Sequence, residues 1–185
     1  MKITVKTGLI AAAAWIFIKL LTFYTGIIQY NVVPLVMLNI LGVLLAVAIG
    51  LFLHKRQEGA DSNLLSDIKN GLSAGVPYVL VVSIFLYVYY DKIDPDFNTH
   101  QIAEFQAGLE KELEDPVQFQ KIKDSNPEFE VKTKEEIFES IMQGPRSFYR
   151  PGSTMAISML ALLLLATLNS IFVSIVYRRL IFRNN

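Results

Sequence analysis

The chain has 185 residues, of which 52% are apolar and only 18% are charged, and its mean hydropathy is +0.40. A soluble domain usually carries about 25% charged residues, so this composition is typical of a membrane protein. Equal numbers of basic and acidic residues, 17 each, argue against nucleic acid as a partner, and the lack of cysteine excludes disulfides, thiolate nucleophiles and cysteine-ligated metals.

Four apolar runs with almost no charge reach the ~20 residues that a helix needs to cross a ~30 Å hydrocarbon core. These runs are Gly8–Tyr30, Val33–Leu53, Leu72–Tyr90 and Thr154–Tyr177. Lipid offers the backbone no hydrogen-bond partner, so each run is predicted to be a transmembrane helix. Asn31 and Pro34 predict a tight turn between the first two helices, which then form an antiparallel hairpin. Because Lys19 interrupts the first run, we expect a retained helix rather than a removed signal peptide.

Basic residues concentrate on one side of the predicted helices. If the helices alternate in direction, both chain ends and the polar loop 54–70 lie on that side, whereas the segment 91–153 lies on the other. The bases concerned are Lys2, Lys6, Lys55, Arg56, Lys69, Arg178, Arg179 and Arg183. The positive-inside rule assigns this side to the cytoplasm, and the loop is expected to lie along the cytoplasmic surface. The segment 91–153 has 14 acids and 8 bases and is predicted to be extracytoplasmic.

The segment between the third and fourth membrane helices is predicted to form a small helical cap. Capping-box spacing places one helix start at Asn98 and another at Thr133, and a further short helix is predicted to begin at Pro116. We expect the last of these helices to end at Gly144–Pro145. The apolar stripes are expected to pack on one another, on the bilayer interface or on a partner. The predicted regions are helices one to three (1–90), the helical insertion (91–153), and helix four with a basic tail (154–185).

Small residues recur at intervals of about four in three of the predicted membrane helices. Such spacing is typical of faces where helix backbones approach closely, so a four-helix bundle is predicted. The residues are Gly42, Ala46, Gly50, Gly71, Gly75, Ala166, Ser170 and Ser174. Asn39 and Asn169 lie at similar predicted depth, and each amide is expected to form a hydrogen bond across helices worth ~0.6 to 2 kcal/mol.

Lys19 is the only charged residue within the four apolar runs. It lies about eleven residues, or ~16 Å, from either end of its run, and is predicted to lie near the bilayer centre. A lysine at that depth costs ~2.5 to 3.5 kcal/mol and needs water, a carbonyl, an amide such as Asn39, loss of its charge, or an acid from another protein. Two interpretations stay open: a pathway or partner contact at Lys19, or a tilted helix with local thinning of the lipid. Because the runs contain no carboxylate, a subunit is favoured over an ion carrier.

Residues 71–75 match the G-x-S-x-G pattern of serine hydrolases, with Ser73 as nucleophile and His54 on the same predicted side. That motif acts at a strand-to-helix turn in an α/β sheet, which nothing in this sequence predicts, so helix packing is the better interpretation. The sequence has no phosphate-binding loop, dinucleotide fingerprint, metal-ligand spacing or paired-carboxylate pattern. The chain is therefore predicted not to be an enzyme and not to use a cofactor.

Three stretches carry a family resemblance: His54 to Arg56 before a polar loop, a glycine-containing third helix that ends in Tyr89–Tyr90, and Ile93 to Phe97 directly after it. With these stretches, the chain resembles DUF4199, an uncharacterised family of small four-helix inner-membrane proteins typical of Bacteroidota. The similarity covers nearly the full length. It implies a location in the bacterial inner membrane and a fold, but it supplies no catalytic or binding residue.

The sequence thus predicts a non-enzymatic inner-membrane protein that acts as an accessory or scaffolding subunit of a larger membrane complex. Its expected partners are the lipid bilayer and either another membrane protein or a second copy of the chain. The alternative is a small transporter or channel in which Lys19, Asn39, Ser83 and Asn169 line a polar path. A membrane hydrolase built on Ser73 and His54 is the least favoured hypothesis.

Overall fold

A computed structural model of the protein describes residues 1–27, 31–58 and 63–181. These residues are almost entirely helical and include no β-strand. Four of their helices are long and apolar enough to cross a membrane, so the chain is a multi-pass membrane protein and the predicted all-α polytopic fold is confirmed. The helices are α1 (Ile3–Thr25), α2 (Val33–Glu58), α3 (Leu64–Val88), α4 (Pro95–Glu114), α5 (Pro116–Ser125), α6 (Lys134–Phe148) and α7 (Pro151–Val176).

The chain divides into two compact units. Met1–Leu86 and Met155–Asn185 form one, which we call the membrane unit, and Tyr87–Thr154 form the other, the insertion unit. Two π-helical turns follow the long helices: Tyr89–Ile93 comes directly after α3, and Tyr177–Ile181 directly after α7.

The first membrane helix is displaced toward the N-terminus relative to the prediction. It begins at Ile3 and ends at Thr25, because Gly26 adopts a left-handed conformation (φ 66°) and its N–H bonds back to the Phe23 carbonyl. α1 packs along α2, whose start is stabilised by Asn31: the side-chain oxygen of Asn31 accepts a hydrogen bond from the Val33 N–H at 3.1 Å. The last three residues of the predicted first run, 28–30, lie outside the described residues.

Most of the predicted polar loop 54–70 is helical, which corrects the prediction. α2 continues to Glu58 with Lys55 and Arg56 in its last turn, where positive charge complements the helix dipole. α3 begins at Leu64, since the Asn63 side chain accepts a hydrogen bond from the Ser66 N–H at 2.7 Å and so caps the helix. The third membrane helix therefore includes Asp67, a carboxylate that the sequence-based boundaries left outside it.

The helices of the insertion unit pack on one another. Their core consists of Leu109 and Leu113 from α4 with Ile137 and Met142 from α6, and Phe119 of α5 packs against it. These apolar side chains recur at helical spacing, so each helix turns one face toward the others.

Two predicted helix starts in the insertion unit are confirmed and one is wrong. α5 begins at Pro116, and Thr133 caps α6 through a reciprocal capping box with Glu136. Asn98, however, is buried inside α4, which begins at Pro95 because the fixed backbone angle of proline suits the first helical position.

The predicted end of α6 at Pro145 is also wrong, since the helix continues through Pro145 to Phe148. Proline costs a helix one backbone hydrogen bond. Here the Pro145 carbonyl still accepts from the Tyr149 N–H at 3.0 Å, and an ion pair between Glu139 and Arg146 connects the turns on either side of the proline.

Candidate functional site

Three charged residues meet in the membrane unit, at the end where α1 and α3 begin and α2 ends. Lys55 Nζ lies 2.9 Å from Asp67 Oδ2, and a guanidinium nitrogen of Arg178 lies 3.5 Å from the same oxygen. The Lys55 and Asp67 side chains are 1% and 0% exposed, whereas that of Arg178 is 41% exposed. We call these residues the ion cluster and this end of the membrane unit the basic end.

The ion cluster joins three separate parts of the membrane unit. Lys55 comes from the last turn of α2, Asp67 from the first turn of α3, and Arg178 from the π-helical turn after α7. Cations or hydrogen-bond donors must face a buried carboxylate to offset the cost of removing its charge from water, and removing one partner of a buried pair costs about 3–5 kcal/mol. Two cations share one carboxylate, so the cluster keeps a net positive charge.

The sequence interpretation missed the ion cluster because it placed Asp67 in a surface loop. A signal was present: Asp67, Gly71 and Ala74 are spaced by four and then three residues, which is the spacing of one helix face. That face is buried in the structure. No local pattern, however, connects Asp67 to Arg178, which lies on a different helix more than a hundred residues away.

A hydroxyl pair connects α1 to α3 in the membrane unit. The hydroxyl oxygens of Thr4 and Ser73 are 2.8 Å apart, and the Ser73 hydroxyl is also within 2.9 Å of the Asn70 carbonyl. These contacts tie the start of α1 to α3. His54, the proposed base of the hydrolase hypothesis, is buried in α2 beside Lys55.

Asn39 and Asn169, the two amides predicted inside the membrane, both form hydrogen bonds between helices. The Tyr78 hydroxyl of α3 donates to the Asn39 side-chain oxygen at 2.7 Å, and the Asn169 amide of α7 donates to the Leu44 carbonyl at 3.1 Å. The two amides thus serve different helix contacts. Ser83, predicted with them in a polar path, is fully buried on α3.

The predicted small residues lie where the membrane helices approach each other most closely. Gly42 lies against the Tyr78 hydroxyl, and Gly50 against Ala74. A Cβ atom added at Gly71 would lie 3.0 Å from the Ser170 hydroxyl, and one added at Gly75 would lie 2.9 Å from Ala166. Ala46 and Ser174 are also buried, and the Ser174 hydroxyl bonds to the Ser170 carbonyl at 2.6 Å. Gly8, which was not among the predicted packing residues, faces the Ala74 carbonyl.

Lys19 lies closer to one end of its helix than predicted. It is six residues, or ~9 Å, from Thr25, because the Gly26 cap ends α1 well before Tyr30. The residue is 5% exposed. A shorter path to the helix end lowers the cost of keeping a charge in the membrane. The equal distances from both ends, from which a central depth was predicted for Lys19, are therefore not found in α1, and its depth in the bilayer stays a prediction.

One known family matches most of the chain. A family described as "Protein of unknown function (DUF4199)" matches residues 6–179. The chain belongs to the DUF4199 family. The predicted resemblance is confirmed, and the matched range in this DUF4199 member includes the whole ion cluster and all of α4, α5 and α6. Searches of curated proteins and of solved structures found no match.

The insertion unit of this DUF4199 member carries most of the acidic residues. At its start, the Tyr89 hydroxyl donates to Asp94 at 3.0 Å, and the Tyr90 ring lies 5.2 Å from that of Phe97. On α6, hydrogen bonds from Arg146 hold the pKa of Glu139 below its usual range. Within the ranges that the structure describes, no three His, Cys, Asp or Glu residues are grouped so that they could hold a metal ion.

Proposed function

We propose that this protein is a non-enzymatic accessory or scaffolding subunit of a larger complex in the bacterial inner membrane. One observation carries the proposal: polar groups inside the membrane unit bond to each other across helices. Lys55 with Asp67, Tyr78 with Asn39 and Thr4 with Ser73 are such pairs. Groups used in this way stabilise a fixed bundle, and they are poorly placed to bind or convert a substrate.

The charge distribution supports a cytoplasmic location of both termini. Outside residues 91–153 the chain has nine bases and three acids, whereas the segment itself has 14 acids and 8 bases. Cytoplasmic sides of membrane proteins are enriched in lysine and arginine. We therefore assign the basic end to the cytoplasm and the insertion unit to the periplasm.

The insertion unit is the better candidate for contact with a partner protein. Lys19 was the other candidate for a partner contact, but this residue is buried, with only 5% of its surface exposed. The insertion unit displays exposed acids such as Glu112 and Glu114 together with exposed apolar side chains such as Val117 and Val131. A protein surface with basic residues around an apolar centre is complementary to this combination.

The transport hypothesis is the weaker alternative. It requires Lys19, Asn39 and Asn169 to line one polar path. Asn39 instead bonds to Tyr78 of α3, and Asn169 bonds to the backbone of α2. Amides engaged in separate helix contacts favour a structural role over a path for solutes.

Purification of the whole protein in mild detergent tests the subunit role. We expect a membrane protein to co-purify, and the double charge reversal Glu112→Lys with Glu114→Lys to release it. Lys121→Glu, an exposed charge reversal on α5, is the matched control and should retain the partner. A monodisperse monomer with no co-purifying protein would contradict the proposal. Loss of the partner from the Lys121→Glu control to the same extent as from the double variant would also contradict it.

A further inference from the structure

Exposed bases surround the ion cluster at the basic end. They come from the start of α1, the end of α2, the first turns of α3 and the π-helical turn after α7. The exposed bases are Lys2, Lys6, Arg56, Lys69, Arg178 and Arg179. Among the side chains that the structure describes outside residues 91–153, Asp67 is the only carboxylate, and it is buried. This surface therefore attracts anions.

Arg178 differs from the other exposed bases because its side chain pairs with a buried carboxylate and the residue before it is anchored to α2. Its guanidinium lies 3.5 Å from the Asp67 carboxylate. The same carboxylate also pairs with the Lys55 ammonium at 2.9 Å. The preceding residue, Tyr177, donates to the Ala48 carbonyl at 3.0 Å and packs edge-on against Phe52. A guanidinium has five N–H donors and so can contact a carboxylate and a phosphate at once.

An exposed apolar stripe on α7 leads to Arg178. Leu164, Leu168, Ile171 and Ile175 are spaced by four, three and four residues, and Arg178 follows three residues later. The four apolar residues have the spacing of one α-helix face and are exposed. Arg178, which is also exposed, lies in the π-helical turn that follows α7. The stripe lies on a helix that is long and apolar enough to span the membrane, and Arg178 lies at its end.

We infer that Arg178 and this stripe form a binding site for one anionic phospholipid. The stripe contacts an acyl chain, and Arg178, held by Asp67, contacts the headgroup phosphate. A free phosphate ion would require only the Arg178 cation and would leave the apolar stripe unexplained. A lipid accounts for the apolar stripe as well, because lipid phosphates lie at the level where membrane helices end. The site does not depend on the subunit role proposed above.

Native mass spectrometry of the whole protein in non-ionic detergent tests the site, with dioleoyl phosphatidylglycerol and dioleoyl phosphatidylcholine as probes. We expect the wild type to bind phosphatidylglycerol more tightly, and Arg178→Gln to weaken that binding by about fivefold, the typical effect of one base near an anionic headgroup. The matched control Arg179→Gln removes a neighbouring exposed charge and should change the affinity by less than about twofold. Millimolar inorganic phosphate should not displace the lipid.

Three results of the mass spectrometry would overturn the inference: equal affinity for the two lipids, equal loss of affinity in the two variants, or displacement of the lipid by inorganic phosphate. An equal loss of lipid affinity would indicate that the basic end attracts anionic lipid diffusely. Displacement of the lipid by phosphate would indicate a site for phosphate alone. A photoactivatable phosphatidylglycerol provides a second measurement on the wild type, which does not depend on folding of the variants. It should crosslink to residues 164–179, and crosslinks confined to other helices would contradict the site.

Discussion

At the scale of single residues, Asp67 has the largest expected effect on stability. Its carboxylate is fully buried and faces Lys55 and Arg178, which come from two other parts of the membrane unit. A surface ion pair contributes about 0–1 kcal/mol, but breaking a buried one leaves a charge without its counter-charge in a medium of low polarity. The stability of the basic end therefore depends on this carboxylate.

The substitution Asp67→Asn is expected to lower the free energy of unfolding by about 3–5 kcal/mol, because it removes the negative charge that faces the buried Lys55 ammonium. Thermal unfolding of the purified protein in detergent measures the effect. Asp91→Asn is the control, since Asp91 pairs with Lys92, whose side chain is 76% exposed, and the loss there should be below about 1 kcal/mol. Similar losses in the two variants would show that the ion cluster is not a stabilising contact.

At the scale of helices, hydrogen bonds and charge near the helix ends explain several of the observed boundaries. Asn63 caps α3, Thr133 and Glu136 cap α6, and Gly26 ends α1. α6 continues through Pro145, and there Arg146 forms two hydrogen bonds with Glu139 on the other side of the proline. We expect this ion pair to support the end of α6.

The contribution of that ion pair should depend on pH. The pKa of Glu139 is lowered from 4.5 in the folded chain, so the stabilisation is present above pH 4.5 and is lost as the pH falls through the lower, folded value. Arg146→Gln should therefore lower the unfolding temperature at neutral pH, and the difference from wild type should vanish in acid. Arg150→Gln, which changes an exposed arginine just after the helix, should show no such pH dependence. A difference that persists at low pH would mean that Arg146 acts through packing.

At the scale of the whole molecule, the two units have opposite charge and different hydropathy. The membrane unit has exposed bases at one end and apolar side chains along its helices, whereas the insertion unit has polar helices around a core of its own. By the positive-inside rule, this distribution favours the orientation proposed above, with the basic end in the cytoplasm.

Single-cysteine variants can measure that orientation, because the chain has no cysteine of its own. Val131 is 91% exposed in the insertion unit, so Val131→Cys should react with a membrane-impermeant maleimide in intact spheroplasts. Lys6→Cys at the basic end should react only after the membrane is permeabilised. Labelling in the reverse order would place both termini outside the cytoplasm and would overturn the proposed topology.

Sequence alone determined the fold class, the number of membrane helices, the family and the helix starts at Pro116 and Thr133. These properties depend on nearby residues: a long apolar run must be helical in lipid, and a capping side chain acts within three or four positions. Tertiary structure decided the ion cluster and the partners of the Asn39 and Asn169 amides, whose bonding across helices the sequence predicted. Lys55, Asp67 and Arg178 are brought together only when three parts of the chain pack. No local pattern encodes such a contact, because it depends on how the helices are arranged in three dimensions.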